Sequence, residues 1–137
     1  MKKRLRKTVG DVVDLVAGYY NLDVDIFVET EDLGENSAEL EILGGSVYSI
    51  ILDRKFIKNE DLVYIIRAVA HEMVHVKQHE LDDLCLETEM FKGEQWGGDY
   101  WFAPWEVEAR GLEEAFLMHY LFSQTAKTSR QKNRKLV

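Results

Sequence analysis

The chain has 137 residues, 46% of them hydrophobic and 31% charged, the balance of one globular domain rather than a disordered or fibrous chain. No apolar run is long enough to span a bilayer, and the lone cysteine, Cys85, excludes an internal disulfide and reads as a small core residue or an inert thiol. The net charge of −8 is unevenly spread: residues 1–7 and 127–137 each hold five basic and no acidic residues, leaving seven basic against 25 acidic residues, a net of −18, in the stretch between. Met1 to Lys7 has the charge of a secretion-signal start, but Asp11 and Asp14 interrupt the segment after it, so the expected compartment is a cytoplasm. Residues 1–126 are expected to form one domain and residues 127–137 a basic flexible tail. Basic tails can bind nucleic acid, offset the acidic body or dock on an acidic partner. Neither tail has the interleaved aromatics that single-strand binding favours.

In chain order, Thr8 is placed to cap a helix running to about Tyr20, with Val9, Val12, Val13, Val16, Tyr19 and Tyr20 on one face. Residues 24–29 are rich in strand formers, and residues 32–36, with Gly34, read as a turn. Residues 38–43 alternate polar and apolar side chains as a half-buried strand, Gly44-Gly45 makes a tight turn, and residues 46–52 form a third strand. The pattern predicts a small antiparallel sheet. A long helix comes next, over about 60–81, opened by Asn59, Glu60 or Asp61. Residues 83–103, with Gly93, Gly97 and Gly98 among Trp96, Tyr100, Trp101 and Phe102, form an irregular loop that can line a cleft or roof the core. Pro104 opens a last helix to about Phe122, with Leu112, Ala115, Phe116 and Leu121 inward.

Within the long helix lies His71-Glu72-Met73-Val74-His75, an H-E-x-x-H pattern. Residues four apart share a helix face, so both imidazoles can reach one metal ion, and zinc takes nitrogen ligands at about 2.0–2.1 Å. Glu72 is rotated about 100° from His71, which puts its carboxylate beside the ion, where the general base for an attacking water belongs. The alternative, two histidines spaced by accident on a surface helix, would leave polar groups unpaired where an apolar helix enters a core, and that is costly.

A catalytic zinc takes three protein ligands. His79 continues the series but lies about 12 Å along the axis from His71. Gln78 and Leu81 stand where a metzincin would need glycine and histidine, and His119 is far along the last helix, so carboxylates remain. Pro104-Trp105-Glu106-Val107-Glu108-Ala109-Arg110 resembles the second-helix pattern of glutamate zincins, and the run from His71 to Gln78 is similar to short phage-encoded and SprT-like metallopeptidases. The resemblance covers about residues 60–116 and implies Glu106 as the third ligand, with Glu108, about 200° away on the helix, as the alternative. Ala109 is small enough to bring the two helices together, and Arg110 is placed to pair with Glu106 or Glu113.

The expected fold is therefore α+β and zincin-like: an N-terminal helix, a small antiparallel sheet, the H-E-x-x-H helix and a second ligand-bearing helix. The expected activity is zinc-dependent peptide hydrolysis, with His71, His75 and Glu106 on Zn²⁺, Glu72 as base, and a peptide strand laid along the sheet edge. Tyr100 or Tyr120 are candidates for steadying the oxyanion, and Asp99 or Glu113 for orienting the imidazoles. Two other functions fit the same residues. One is a virion-associated structural or binding protein that keeps the zincin fold and contacts viral structural proteins, in host cytoplasm or virion. The other is a SprT-like protease that acts on DNA-bound proteins and is recruited by the basic tails.

Overall fold

The computed structural model describes residues 1–59 and 61–135, with side chains described up to Thr125. The elements follow the order α1 (Lys3–Tyr19), β1 (Asp25–Glu31), β2 (Ala38–Gly44), β3 (Val47–Asp53), α2 (Arg54–Lys58), α3 (Leu62–Leu81), β4 (Met90–Phe91), β5 (Glu94–Gln95) and α4 (Pro104–Lys135), with a 3₁₀ turn at Tyr100–Phe102 before α4. The architecture is α+β, as expected. No described helix is long and apolar enough to cross a membrane.

Helix α1 begins five residues before the expected cap. Leu5 extends the apolar stripe of Val9, Val12 and Val16 one turn toward the N-terminus, and all four are buried. Thr8 lies inside the helix, where its hydroxyl donates to the Arg4 carbonyl at 3.2 Å instead of capping. Each fully buried aliphatic side chain of this kind contributes roughly 1.5–3 kcal/mol, which outweighs a cap of about 1 kcal/mol.

The three-stranded sheet has the order β1-β3-β2. Strands β2 and β3 pair antiparallel across the Gly44–Ser46 turn, but β1 pairs parallel to β3, Asp25 opposite Val47 through Glu31 opposite Asp53. The sheet is therefore mixed, and the antiparallel expectation is corrected. The reason lies in β3, whose near-continuous apolar run is buried at six of seven positions. Such a strand belongs in the middle of a sheet, covered on both faces, so β1 takes its free edge.

At the end of β3 the buried Asp53 carboxylate accepts from Phe56 N at 3.2 Å and Leu33 N at 2.9 Å. That cap starts the short helix α2, which the sequence pattern does not single out. Helix α3 packs on α1, α4 and the inner face of the sheet, with Ile65, Ile66, Val69, Ala70, Met73, Val74 and Val76 in the core. On α4, Ala109, Phe116 and Leu117 are buried and Leu112 partly so, while Ala115 and Leu121 are exposed. The backbone of α4 continues to Lys135; the expected basic flexible tail at 127–137 falls on residues whose side chains lie outside those described.

The loop between α3 and α4 divides its aromatics. Leu84, Phe91, Ala103 and Trp105 form a second small core with Trp96 against it. Lys92 and Gly93, both at positive φ, turn the β4–β5 hairpin tightly. Cys85 is exposed and pairs by backbone with Met90 at the base of that hairpin, so it is not a core residue.

Candidate metal centre

Helix α3 presents His71 and His75 on one face, and the first turn of α4 brings Glu106 against them. Ala109, fully buried at the helix contact, lets α4 approach this closely. His75 Nε2 lies 3.0 Å from Glu106 Oε1, His71 Nε2 3.3 Å from Glu106 Oε2, and the two Nε2 atoms are 3.2 Å apart. Among the described residues, these three form the one group of histidine, cysteine or carboxylate side chains able to hold a metal ion.

The donor set fits a metal on geometry and on chemistry. Tetrahedral ligands at about 2.0–2.1 Å from an ion stand about 3.3 Å from one another; the separations run from 3.0 to 3.3 Å, with the two imidazoles facing different oxygens of Glu106. The far side of each imidazole is also engaged. His71 Nδ1 is 3.2 Å from Glu113 Oε1, and an ionised carboxylate only accepts, so that nitrogen donates. His75 Nδ1 is 2.7 Å from Gln78 Oε1. The Gln78 amide nitrogen faces two acceptors, the Trp105 carbonyl at 2.8 Å and Glu108 Oε1 at 3.2 Å. Its oxygen must therefore face His75. Both imidazoles thus carry their proton on Nδ1 and turn Nε2 toward Glu106, the arrangement in which outer partners orient metal-binding histidines.

The same groups also shift one another's protonation. Burial opposes charging His71, but hydrogen bonds to Glu106 and Glu113 and the charges of Glu72 and Glu106 outweigh it, pushing the imidazole up to about 10. His75 is raised against its own burial by Glu106 and Glu72. Glu106, although buried, is held well below the usual carboxylate range by the two imidazoles.

Glu72 lies beside the cluster and lines the same cleft, a cavity of about 360 Å³. It is only 9% exposed. Burial pushes its carboxyl up, and the His75 and His71 charges offset this only partly. No hydrogen bond to Glu72 occurs among the described residues, so a nearly buried acid opens on the cleft with its lone pairs unspent. Tyr100, in the 3₁₀ turn, lines the same cleft; burial and the Glu106 charge raise its phenol.

The remaining expected site residues divide clearly. Glu113 supports His71, whereas Asp99 caps the 3₁₀ turn by accepting from Trp101 N at 3.2 Å. Tyr120 packs against the main core, and His119 contacts Ser123 on α4. His79 lines the cleft one turn past His75, outside the cluster. Glu108 faces away and binds Lys77 at 2.9 Å, while Lys77 also holds Asp82 at 2.7 Å. Arg110 does not pair with Glu106 or Glu113: its guanidinium stacks over Trp101 and donates to that residue's carbonyl. Gln78 is the supporting residue that the sequence pattern did not single out. Its signal was a fully polar side chain three positions after His75, on the apolar face of the helix.

No family model, curated protein or solved structure matches this chain.

Proposed function

We propose that this protein is a zinc-dependent peptide hydrolase, with His71, His75 and Glu106 holding the ion and Glu72 carrying the proton. One juxtaposition supports the reading: three ligand atoms converge beside a nearly buried, unpartnered carboxylate on a shared cleft. An ion held only for stability has no use for that acid. Two imidazoles and one carboxylate are a donor set suited to zinc with a coordination position left open. The resemblance of the two helix motifs to glutamate zincins agrees with it.

When bound, zinc supplies a Lewis acid that polarises the scissile carbonyl and makes water easier to deprotonate. The chain's own groups do the rest. Glu72, its carboxyl raised by burial, takes the proton of the attacking water and passes it to the leaving amine. The Tyr100 hydroxyl, on a residue lining the same cleft, would donate to the oxygen on which charge develops. Among the described residues strand β2 pairs only with β3, so its other edge would accept an extended peptide whose backbone then runs over the cleft.

The deciding experiment measures metal content and peptide hydrolysis together. Wild type is expected to hold about one zinc per chain, kept in Glu108→Ala and lost in Glu106→Ala. Glu72→Gln is expected to keep the zinc and lose hydrolysis. A wild type without zinc after supplementation, or a Glu72→Gln variant with full activity, overturns the proposal.

A further inference from the structure

The open edge of β2 also carries information about the kind of segment that would lie along it. The strand presents two unlike faces. Ala38 and Leu40 pack toward the core, and with Ile42 and the neighbouring Glu39 they line the cleft that holds His71, His75 and Glu72. Glu39 and Glu41 alternate with them and are exposed. Across the ladder Ala38, Leu40 and Ile42 stand opposite Leu52, Ile50 and Tyr48, and Glu39 and Glu41 stand opposite Ile51 and Ser49. A bulge between Ile42 and Gly44 ends the regular edge, as bulges do at sheet margins. What remains free is a straight run of five residues, Ala38 to Ile42, beside the cleft.

A strand added to an edge meets its neighbour's side chains face by face, and cross-strand pairs of opposite charge or of two apolar groups favour it while like charges disfavour it. We infer that this edge selects an extended segment in which apolar residues, turned into the cleft, alternate with lysine or arginine turned outward over Glu39 and Glu41. The requirement holds for either direction of the added strand, because side-chain alternation does not depend on direction. The net charge of −18 over residues 8–126 draws such a cationic segment toward the protein before contact. Asn36 donates to Glu39 at 3.0 Å, which leaves the Glu39 charge in place and fixes one of its oxygens. The inference deepens the proposed peptidase activity and rests on it for the cleavage of the bound segment.

The test uses zinc-loaded Glu72→Gln protein and three fluorescein-labelled heptapeptides, read by fluorescence anisotropy. The first alternates lysine and valine, the second has the same composition with lysines and valines in separate blocks, and the third alternates glutamate and valine. The alternating lysine peptide is expected to bind about tenfold more tightly than either of the others, the product of two to three favourable cross-strand pairs. Raising salt is expected to narrow the gap to the glutamate peptide. In a Glu39→Lys/Glu41→Lys background, with zinc content and circular dichroism confirming the fold, that preference is expected to vanish or reverse. Equal affinities for the three peptides, or a preference that survives the double charge reversal, overturn the inference. Wild-type protein is incubated with the same peptides in parallel. Binding with the stated preference but without cleavage refutes the hydrolase while leaving the edge selection standing, and cleavage without preference does the opposite.

Discussion

Gln78 offers the sharpest test of how the candidate metal centre is held. Its side chain is fully buried and closes a ring: the amide oxygen accepts from His75, and the amide nitrogen donates to the carbonyl of Trp105, the residue before Glu106. One side chain therefore sets both an imidazole and the first turn of α4. Gln78→Leu keeps most of the volume, so the cost comes from polarity. It orphans the His75 N–H, worth about 1–3 kcal/mol when buried and unpaired, and takes one of two donors from the Trp105 carbonyl, which keeps its bond inside helix α4. The orphaned N–H alone is a measurable share of a stability of roughly 5–15 kcal/mol. Loss of an outer partner of a metal-binding histidine also weakens metal affinity by about 10–100-fold. Chemical denaturation of metal-free protein reads the first effect, and competition with a chromophoric zinc chelator reads the second. Gln78→Glu alone sets a carboxylate against Glu108, now 3.2 Å from the amide nitrogen; adding Glu108→Gln is expected to recover part of the affinity. Wild-type zinc affinity in Gln78→Leu would refute the argument.

Four further outcomes are expected of the site. Ala109→Leu inserts bulk at a fully buried contact between α3 and α4, so it is expected to cost about 1–3 kcal/mol and to lower metal occupancy; unchanged thermal unfolding would contradict this. His71 in metal-free protein is pushed up to about 10, so metal uptake near pH 7.5 should displace a proton and affinity should rise with pH. Calorimetry in buffers of different ionisation enthalpy detects that proton, and its absence would refute the assignment. The same raised value means that His71 stabilises the metal-free fold fully below its unfolded pKa of about 6.5 and that this contribution is lost as pH climbs through about 10. Tyr100→Phe is expected to lower hydrolysis by up to about 10²-fold while leaving zinc content intact; equal loss of both would recast Tyr100 as a support for Glu106.

The features legible in the sequence, and those hidden in it, divide by physical range. Periodicity located α3 and placed Pro104 at the head of α4, because both depend on residues a turn or two apart. The spacing of His71 and His75 placed two imidazoles on one face for the same reason. Glu106 came through the resemblance of its motif, and it is the ligand-distance carboxylate, while Glu108 turns to Lys77. The parallel pairing of β1 was not legible, since it depends on which strand is buried on both faces, a tertiary matter. Neither was Arg110, whose expected helical partners lost to the carbonyl and ring of Trp101 from a preceding turn. Gln78 stood in plain view, but its meaning depends on a backbone carbonyl 27 residues away.

The mixed sheet has a consequence for the order in which the chain assembles. Strands β2 and β3 close across a short turn, a local event on the microsecond scale. Strand β1 must find β3 across the whole intervening hairpin, because parallel neighbours cannot be joined by a tight turn, and contacts of greater sequence separation form later. Our hypothesis is that β1 docks onto a preformed β2–β3 hairpin and is the first strand to leave it. Native-state hydrogen exchange should then find the β1 amides opening at lower free energy than those of β3, and the reverse order would refute it. On that hypothesis the edge of the sheet beside the cleft belongs to the early-forming pair, and the strand that comes and goes lies on the opposite margin.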